Sequence, residues 1–165
     1  MKFKILVVSI AAIALFSCGN KNIVDQKMDI SPNGWAYADS LKVNFDIIDT
    51  LKIYNIYLSV VHQNSFPFQN LYTKIATQFP EGERIEQPLS LELTEASGKP
   101  IGKKSGDNVT TDILAREGAF FNKSGRYQIT IAQHMRQDSL KGIVQIRYRI
   151  EETGETRDPN AKKKK

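Results

Sequence analysis

The side chains able to hold a metal ion are few and widely separated in this sequence. Its two histidines are His62 and His134, and Cys18 is its one cysteine. Zinc and iron sites are usually built from His, Cys and carboxylate ligands at short, regular spacings, and no such pair occurs here. We therefore predict no metal and no cofactor, and we expect both histidines to be surface or half-buried polar residues.

Signatures of covalent or acid–base catalysis are equally thin. The sequence has no Gly-x-Ser-x-Gly elbow, and residues 98–105 are one residue short of a phosphate-binding loop. The carboxylate pairs Glu81 with Glu83 and Glu151 with Glu152 fall in turn-like or terminal segments. Solvated charge is the ordinary interpretation of such pairs. We predict that the protein is not an enzyme.

Cys18 has a chemistry of its own because it directly follows an apolar segment. Residues 5–17 carry no charge and follow two lysines, which is typical of a signal peptide and too short for a transmembrane helix of about 20 residues. The segment ends in Leu15-Phe16-Ser17-Cys18, which is similar to the bacterial lipobox. That motif implies cleavage between Ser17 and Cys18, which makes Cys18 the new N-terminal residue. Its sulfur would carry a diacylglyceryl group, and its α-amino group would carry an acyl chain such as palmitate. The alternatives are a plain secretory signal or a buried structural cysteine.

The formal charge of +5 is concentrated at the two ends of the chain. Once Lys2, Lys4 and the C-terminal lysines are set aside, basic and acidic residues nearly balance, so we predict no nucleic-acid partner. Residues 18–34 are mostly polar and are interpreted as the lipidated cysteine and a flexible tether. Residues 153–165 are predicted to be a disordered basic tail. Its four lysines are either simply solvated or contact anionic headgroups or a cell-wall polymer: Lys162, Lys163, Lys164 and Lys165.

Between the tails, residues 35–152 show the period-two alternation of half-buried strands. Val43, Phe45 and Ile47 alternate with polar residues. The same pattern recurs at 54–60, 71–79, 89–93, 127–132 and 144–150, with Gly, Pro, Asn and Ser turns between the segments. Pro88 indicates an edge strand or a strand start. Residues 112–121 fit either a short helix or a strand bulged around Gly118. This pattern predicts an all-β fold, an antiparallel β-sandwich of about seven or eight strands.

A series of short motifs gives the chain a family resemblance. The motifs are, in order, Asn33 and Trp35, Tyr54-Asn55, Phe66-Pro67-Phe68-Gln69-Asn70-Leu71, Gly102 to Gly106-Asp107, Gly125-Arg126-Tyr127, Gln133-His134-Met135-Arg136 and Gly142-Ile143. In this order, and behind the lipobox, they resemble the GldH family of gliding motility lipoproteins of Bacteroidetes. The resemblance covers nearly the whole chain.

The resemblance implies a non-enzymatic outer-membrane lipoprotein that acts as an assembly or accessory component of the gliding motility and associated secretion machinery. Its expected partners are the membrane, other gliding or secretion lipoproteins and envelope proteins. The residues after Cys18 lack the acidic cluster that resembles the surface-export signal of Bacteroidetes lipoproteins. We therefore expect the protein on the periplasmic face of the outer membrane. The alternative is a carbohydrate- or cell-wall-binding module that stacks sugars on Trp35, Tyr37, Phe66 or Phe68.

The residues expected to mediate interaction lie mainly in loops. They are Trp35, Phe66, Phe68, Asn70, Asp107 and Arg136. A lone tryptophan just before the first strand more often fills a core. Pro67 restricts both its own backbone and that of Phe66, so one phenylalanine of this loop should enter the core while the other faces a partner. Asn70 is expected to cap the turn.

Overall fold

The computed structural model describes residues 21–158. This part of the chain forms eleven strands and no helix: β1 (Asn22–Asp29), β2 (Trp35–Ala36), β3 (Ser40–Ile47), β4 (Lys52–Gln63), β5 (Asn70–Gln78), β6 (Arg84–Glu92), β7 (Lys103–Ser105), β8 (Asn108–Ala119), β9 (Gly125–Gln133), β10 (Ser139–Leu140) and β11 (Ile143–Thr156). Eight of these strands have eight or more residues. The predicted all-β fold is confirmed. No helix between residues 21 and 158 is long and apolar enough to cross a membrane.

Two antiparallel sheets pack face to face around one core. The larger sheet has the order β1-β11-β4-β8-β7 and the smaller has the order β3-β9-β5-β6, while β2 and β10 form a two-stranded ribbon. Val43 and Phe45 of β3, Leu58 of β4, and Ile129 and Ile131 of β9 all belong to the buried cluster. The alternation read from the sequence therefore places the inner faces of both sheets correctly.

Two local ambiguities in the sequence are decided by the pairing. Residues 108–119 form one strand whose register with β4 shifts between Tyr54 and Tyr57, and Gly118 has a φ of +62°. The bulged strand is therefore correct and the helix is wrong. Pro88 lies within β6, the outer strand of the smaller sheet, where a missing backbone N–H is tolerated.

The predicted boundaries of the domain are too narrow at both ends. Residues 22–29, interpreted as part of a tether, form β1, which pairs along β11 from Asn22↔Glu151 to Asp29↔Gln145. Strand β11 itself continues to Thr156, inside the predicted tail. Burial of Met28 and the ladder to β11 stabilise a segment whose own apolar pattern is weak. The predicted signal peptide, Cys18 and the four terminal lysines lie outside the described residues.

The antiparallel order separates the connections into two groups at opposite ends of the sandwich. The terminal end is the one where the described chain begins at Lys21 and stops at Asp158, and it carries the connections 48–51, 79–83 and 120–124. The opposite end carries the longer connections 30–39, 64–69, 93–107 and 134–142. Short strands β2, β7 and β10 all belong to the opposite end.

An aromatic cluster fills the core near the terminal end. Phe121 packs edge-on against Phe45, Tyr54 and Tyr127, with a ring-centre distance of 4.9 Å to Tyr127. Phe79 adds a further edge contact to Tyr127. Such edge-to-face pairs contribute about 0.5–1.5 kcal/mol each beyond their burial. They fix the 120–124 connection firmly against the sandwich.

Candidate functional site

The six residues predicted to mediate interaction all lie at the opposite end of the sandwich, and two of them, Phe68 and Arg136, line the pocket described below. Trp35 is only 2% exposed, pairs with Leu140 in the β2–β10 ribbon and donates its indole N–H to the carbonyl of Asp39 at 3.2 Å. The prediction of Trp35 as an interaction residue is therefore wrong. Its large apolar ring closes this end of the core, as a lone tryptophan beside a first strand usually does.

The loop between β4 and β5 divides its two phenylalanines unequally. Phe66 is buried beside His62, whereas Phe68 is half-buried and meets Phe66 edge-on at 5.5 Å. Gly142 allows this packing, because a Cβ built on it would lie 3.1 Å from the Phe66 ring. Phe66 is thus the inward ring and Phe68 the more outward one, partly packed against the core; that Phe68 faces a partner stays a prediction.

Asn70 and Asp107 contribute less than predicted. The side-chain oxygen of Asn70 is buried and has no hydrogen-bond partner among the described residues, so Asn70 does not cap the turn. Asp107 lies in the exposed β7–β8 turn, where its backbone carbonyl accepts a hydrogen bond from the N–H of Asn64 at 2.8 Å. This bond joins the two loops through backbone atoms, which any residue type at position 107 supplies.

A buried glutamine shapes the loop that follows β9. Gln133 is buried, accepts a hydrogen bond from the N–H of Met135 at 2.8 Å and donates one to the carbonyl of Gln137 at 2.8 Å. The loop is also joined to β5, since the N–H of His134 donates to the carbonyl of Tyr72 at 2.8 Å. Satisfied buried amides of this kind hold a loop in one conformation. His134 and Arg136 are therefore presented by a rigid support.

These two loops and the adjacent strands enclose a pocket of about 560 Å³. Its lining is aromatic and apolar apart from an imidazole, a guanidinium and an amide: Phe68, Tyr72, Pro88, His134, Met135, Arg136 and Gln137. Pockets of this size with a few convergent polar groups bind small molecules or side chains of a partner. The mixture of rings and Arg136 suits an apolar group that carries a carboxylate or another hydrogen-bond acceptor.

Two ion pairs share Glu86 of β6, which lies two residues before Pro88 of the pocket. Glu86 lies 3.0 Å from Arg84 and 3.2 Å from Lys74. The hydrogen bond from Arg84, followed by that from Lys74, holds the pKa of Glu86 below its usual value. Glu86 is thus paired with two cations on β5 and β6, and the guanidinium that lines the pocket is that of Arg136.

The four aromatic residues considered for sugar stacking do not form a platform. Trp35 and Phe66 are buried, Tyr37 is exposed, and Phe66 and Phe68 meet at an interplanar angle of 65°. A stacking surface needs coplanar, exposed rings. Sequence reasoning missed Tyr72, Pro88 and Gln133. For Gln133 a signal existed, because the β9 alternation assigns this polar residue to the inner face.

The two histidines differ in their surroundings. His134 is exposed, as predicted, but His62 is only 2% exposed, with its Nδ1 atom 2.9 Å from the carbonyl oxygen of Gln63. The expectation of a surface or half-buried His62 is wrong because β4 turns that side chain toward Phe66. Between residues 21 and 158, no three His, Cys, Asp or Glu side chains cluster so as to hold a metal ion.

The geometry defines a class of protein: a small all-β sandwich that presents an aromatic-lined pocket, on rigidly held loops, at the end opposite Lys21 and Asp158. The family model described as GldH lipoprotein matches residues 22–150. The chain therefore belongs to the GldH lipoprotein family.

Two relatives align along most of this chain. It is 29% identical to a gliding motility lipoprotein GldH homolog of Christiangramia forsetii, over 92% of this chain and 96% of the relative. It is also 29% identical to the gliding motility lipoprotein GldH of Flavobacterium johnsoniae, over 87% and 92% of the respective chains.

Among solved structures, a family GH115 4-O-methyl-α-glucuronidase is similar at a TM-score of 0.38 and 15% identity. The match covers 87% of this chain and 19% of the glucuronidase. A likeness this low carries no argument about function.

Proposed function

We propose that this protein is a non-enzymatic lipoprotein of the outer membrane and an accessory component of the gliding motility and associated secretion machinery. It is anchored through acyl chains on Cys18, faces the periplasm and docks an envelope partner in the pocket between Phe68, Tyr72 and Arg136. The family membership and the names of the two relatives support this role. The observation that carries the docking site is the position of the pocket, at the end of the sandwich farthest from Lys21.

The anchor is tested with Cys18→Ala. The variant should fold normally, because Cys18 is the one cysteine and the described core contains none. It should move from the membrane fraction to the soluble periplasm, since two or three acyl chains hold a protein stably whereas none does. If the variant remains with membranes after a high-salt wash, the anchor is not at Cys18.

The docking pocket is tested with Arg136→Ala in the lipidated protein. Envelope proteins are cross-linked in living cells, co-purified and identified by mass spectrometry. The matched control is Arg126→Ala, which changes another exposed arginine, on β9 toward the terminal end. We expect Arg136→Ala to lose most of at least one partner that Arg126→Ala retains. Equal recovery by both variants contradicts docking at this pocket.

A further inference from the structure

The terminal end of the sandwich carries a group of apolar side chains that face solvent. Ile48 is 91% exposed, Phe120 is 50% exposed and Leu51 is 40% exposed. Isolated exposed apolar residues are common, but several that converge at one end of a domain mark an interaction surface. We refer to Ile48, Leu51 and Phe120 as the terminal apolar patch.

The exposure of two members of the patch is fixed by their neighbours in the chain. Ile47 is buried in the core, so the alternation of β3 turns Ile48 outward. Phe121 is held in the aromatic cluster, so Phe120 faces solvent. Each connection thus has two consecutive large apolar residues where the core takes only one. The other residue of each pair, Ile48 in one and Phe120 in the other, stays exposed at the surface.

Arg157 connects the two loops of the patch into one surface. Its backbone N–H donates to the carbonyl of Leu51 at 2.7 Å, and its Nε donates to the carbonyl of Thr50 at 2.9 Å. Its guanidinium also lies 4.7 Å from the ring centre of Phe120. Within the 48–51 connection, the N–H of Leu51 donates a hydrogen bond to the carboxylate of Asp49 at 2.8 Å. The patch is therefore held in place before any partner binds.

The N-terminal end of the described chain lies directly beside the patch. The carbonyl of Lys21 accepts a hydrogen bond from the N–H of Glu152 at 2.9 Å, and Lys21 and Ile48 line the same cavity of about 300 Å³. Only three residue steps separate Cys18 from Lys21, which span at most about 11 Å in any conformation. A lipid on Cys18 would therefore hold Lys21 no more than about 11 Å from the anchored residue, a distance comparable to the headgroup layer, which is roughly 5–8 Å thick.

We propose that the terminal apolar patch is a membrane-contact surface, with Ile48, Leu51 and Phe120 inserted between the lipid headgroups next to the anchor. This inference rests on the proposed lipidation of Cys18. The domain stands upright on the bilayer, and its pocket faces away from the lipid. Apolar contact drives the insertion, because Lys52 and Lys123 of this end are already paired with Glu152 and Glu81.

The test measures the depth of a fluorescent label in the full-length lipidated protein reconstituted into phosphatidylethanolamine and phosphatidylglycerol vesicles. Acylation uses the thiol of Cys18, so a cysteine introduced by Ile48→Cys reacts alone with an environment-sensitive dye. The matched control is Ser97→Cys, an exposed turn residue at the opposite end. A lipid carrying a headgroup-level quencher should reduce fluorescence by roughly half or more at position 48, as expected for a side chain in the interface, and should leave position 97 unchanged.

A second variant separates the patch from the label. Adding Leu51→Ser and Phe120→Ser to the labelled Ile48→Cys protein should abolish most of the quenching, while the protein stays on the vesicles through its lipid. The inference is overturned if position 48 is unquenched, if both labelled positions are quenched alike, or if the serine variants remain equally quenched. Failure of the proposed anchor is a distinct result: the mass of the purified protein then lacks the acyl chains, and no variant remains with the vesicles.

Discussion

Asp25 and Arg147 join the first long strand to the last through a two-point ion pair, in which Arg147 Nε lies 2.6 Å from one carboxylate oxygen of Asp25. A second bond at 2.5 Å connects Nη2 to the other oxygen. Planar, bidentate pairs of this kind are the strongest form of surface ion pair. The pair fixes β1 against β11, only a few residues beyond Cys18.

The ion pair predicts a specific pH dependence of stability. The hydrogen bond from Arg147 lowers the pKa of Asp25 from 3.8. A lowered pKa in the folded state stabilises the protein above about pH 4, and this contribution is lost as the pH falls through the folded value. Asp25→Asn should cost about 1 kcal/mol at pH 7, because the pair is partly exposed, and the difference from the unsubstituted protein should shrink as the pH falls below about 4. Urea unfolding at several pH values measures this difference.

Arg147→Lys is the companion variant, because it keeps the charge but loses the two-point geometry. It should retain part of the pH dependence and show a smaller loss of stability than Asp25→Asn. A difference between Asp25→Asn and the unmodified protein that stays constant from pH 7 to pH 2 contradicts the assignment.

Alanine substitutions at Gly142 and Gly82 should distinguish the cost of backbone strain from the cost of disturbed packing. Their φ angles are +89° and +90°, but a Cβ on Gly142 would lie 3.1 Å from the Phe66 ring whereas a Cβ on Gly82 meets nothing within 4 Å. Alanine at either site should cost about 1 kcal/mol for the left-handed backbone. Gly142→Ala should cost roughly 1 kcal/mol more because it displaces a buried ring. Adding Gly142→Ala to Phe66→Ala should remove that extra cost.

Phe66 and Phe68 should differ in stability and in docking. Phe66→Ala should lower the free energy of unfolding by about 3–5 kcal/mol, as for a buried aromatic residue. Phe68→Ala should lower it by roughly 1 kcal/mol, in proportion to partial burial. Recovery of cross-linked envelope partners from the folded fraction should fall only for Phe68→Ala. Equal losses of stability, with no change in recovery, would show that the loop is purely structural.

Arg157, near the end of the described chain, should contribute more to the stability of the domain than the lysines at 162–165 do. Arg157→Ala removes the hydrogen bond to Thr50 and the contact with Phe120, and should cost about 1 kcal/mol. Deletion of residues 162–165 should leave the thermal midpoint unchanged, because a terminal run of like charges contributes no core contacts. A lower midpoint after the deletion would show that the lysines dock on the sandwich. Differential scanning calorimetry compares the two.

The parts of the fold that could be predicted are those specified by local alternation. Strands β3, β4, β9 and β11 can be recognised in the sequence because apolar residues recur at every second position and enter the core. Strand β1 could not be predicted in the same way, because Met28 is its one buried side chain and its ladder partner is more than a hundred residues away.

The pocket escaped prediction for a related reason. Tyr72, Pro88 and His134 lie on two strands and a loop, and they come together only through the register of β5 with β6 and with β9. The sequence identifies Phe68 and Arg136 as unusual loop residues but contains no local signal of their convergence. Likewise, Trp35 and Phe66 have the same residue-type signature as Phe68, and only the packed structure separates rings that fill the core from a ring that lines a cavity.

Pro88 has a consequence for the behaviour of many copies crowded together. Strand β6 is an edge strand of the smaller sheet. An unpaired edge strand can form a ladder with the same strand of another molecule and so begin a polymer. Because proline has no N–H to donate, the middle of β6 cannot offer an uninterrupted ladder to such a neighbour. Pro88 therefore acts as a built-in barrier to fibril-like self-assembly, and it leaves the molecules free to remain separate at high local density.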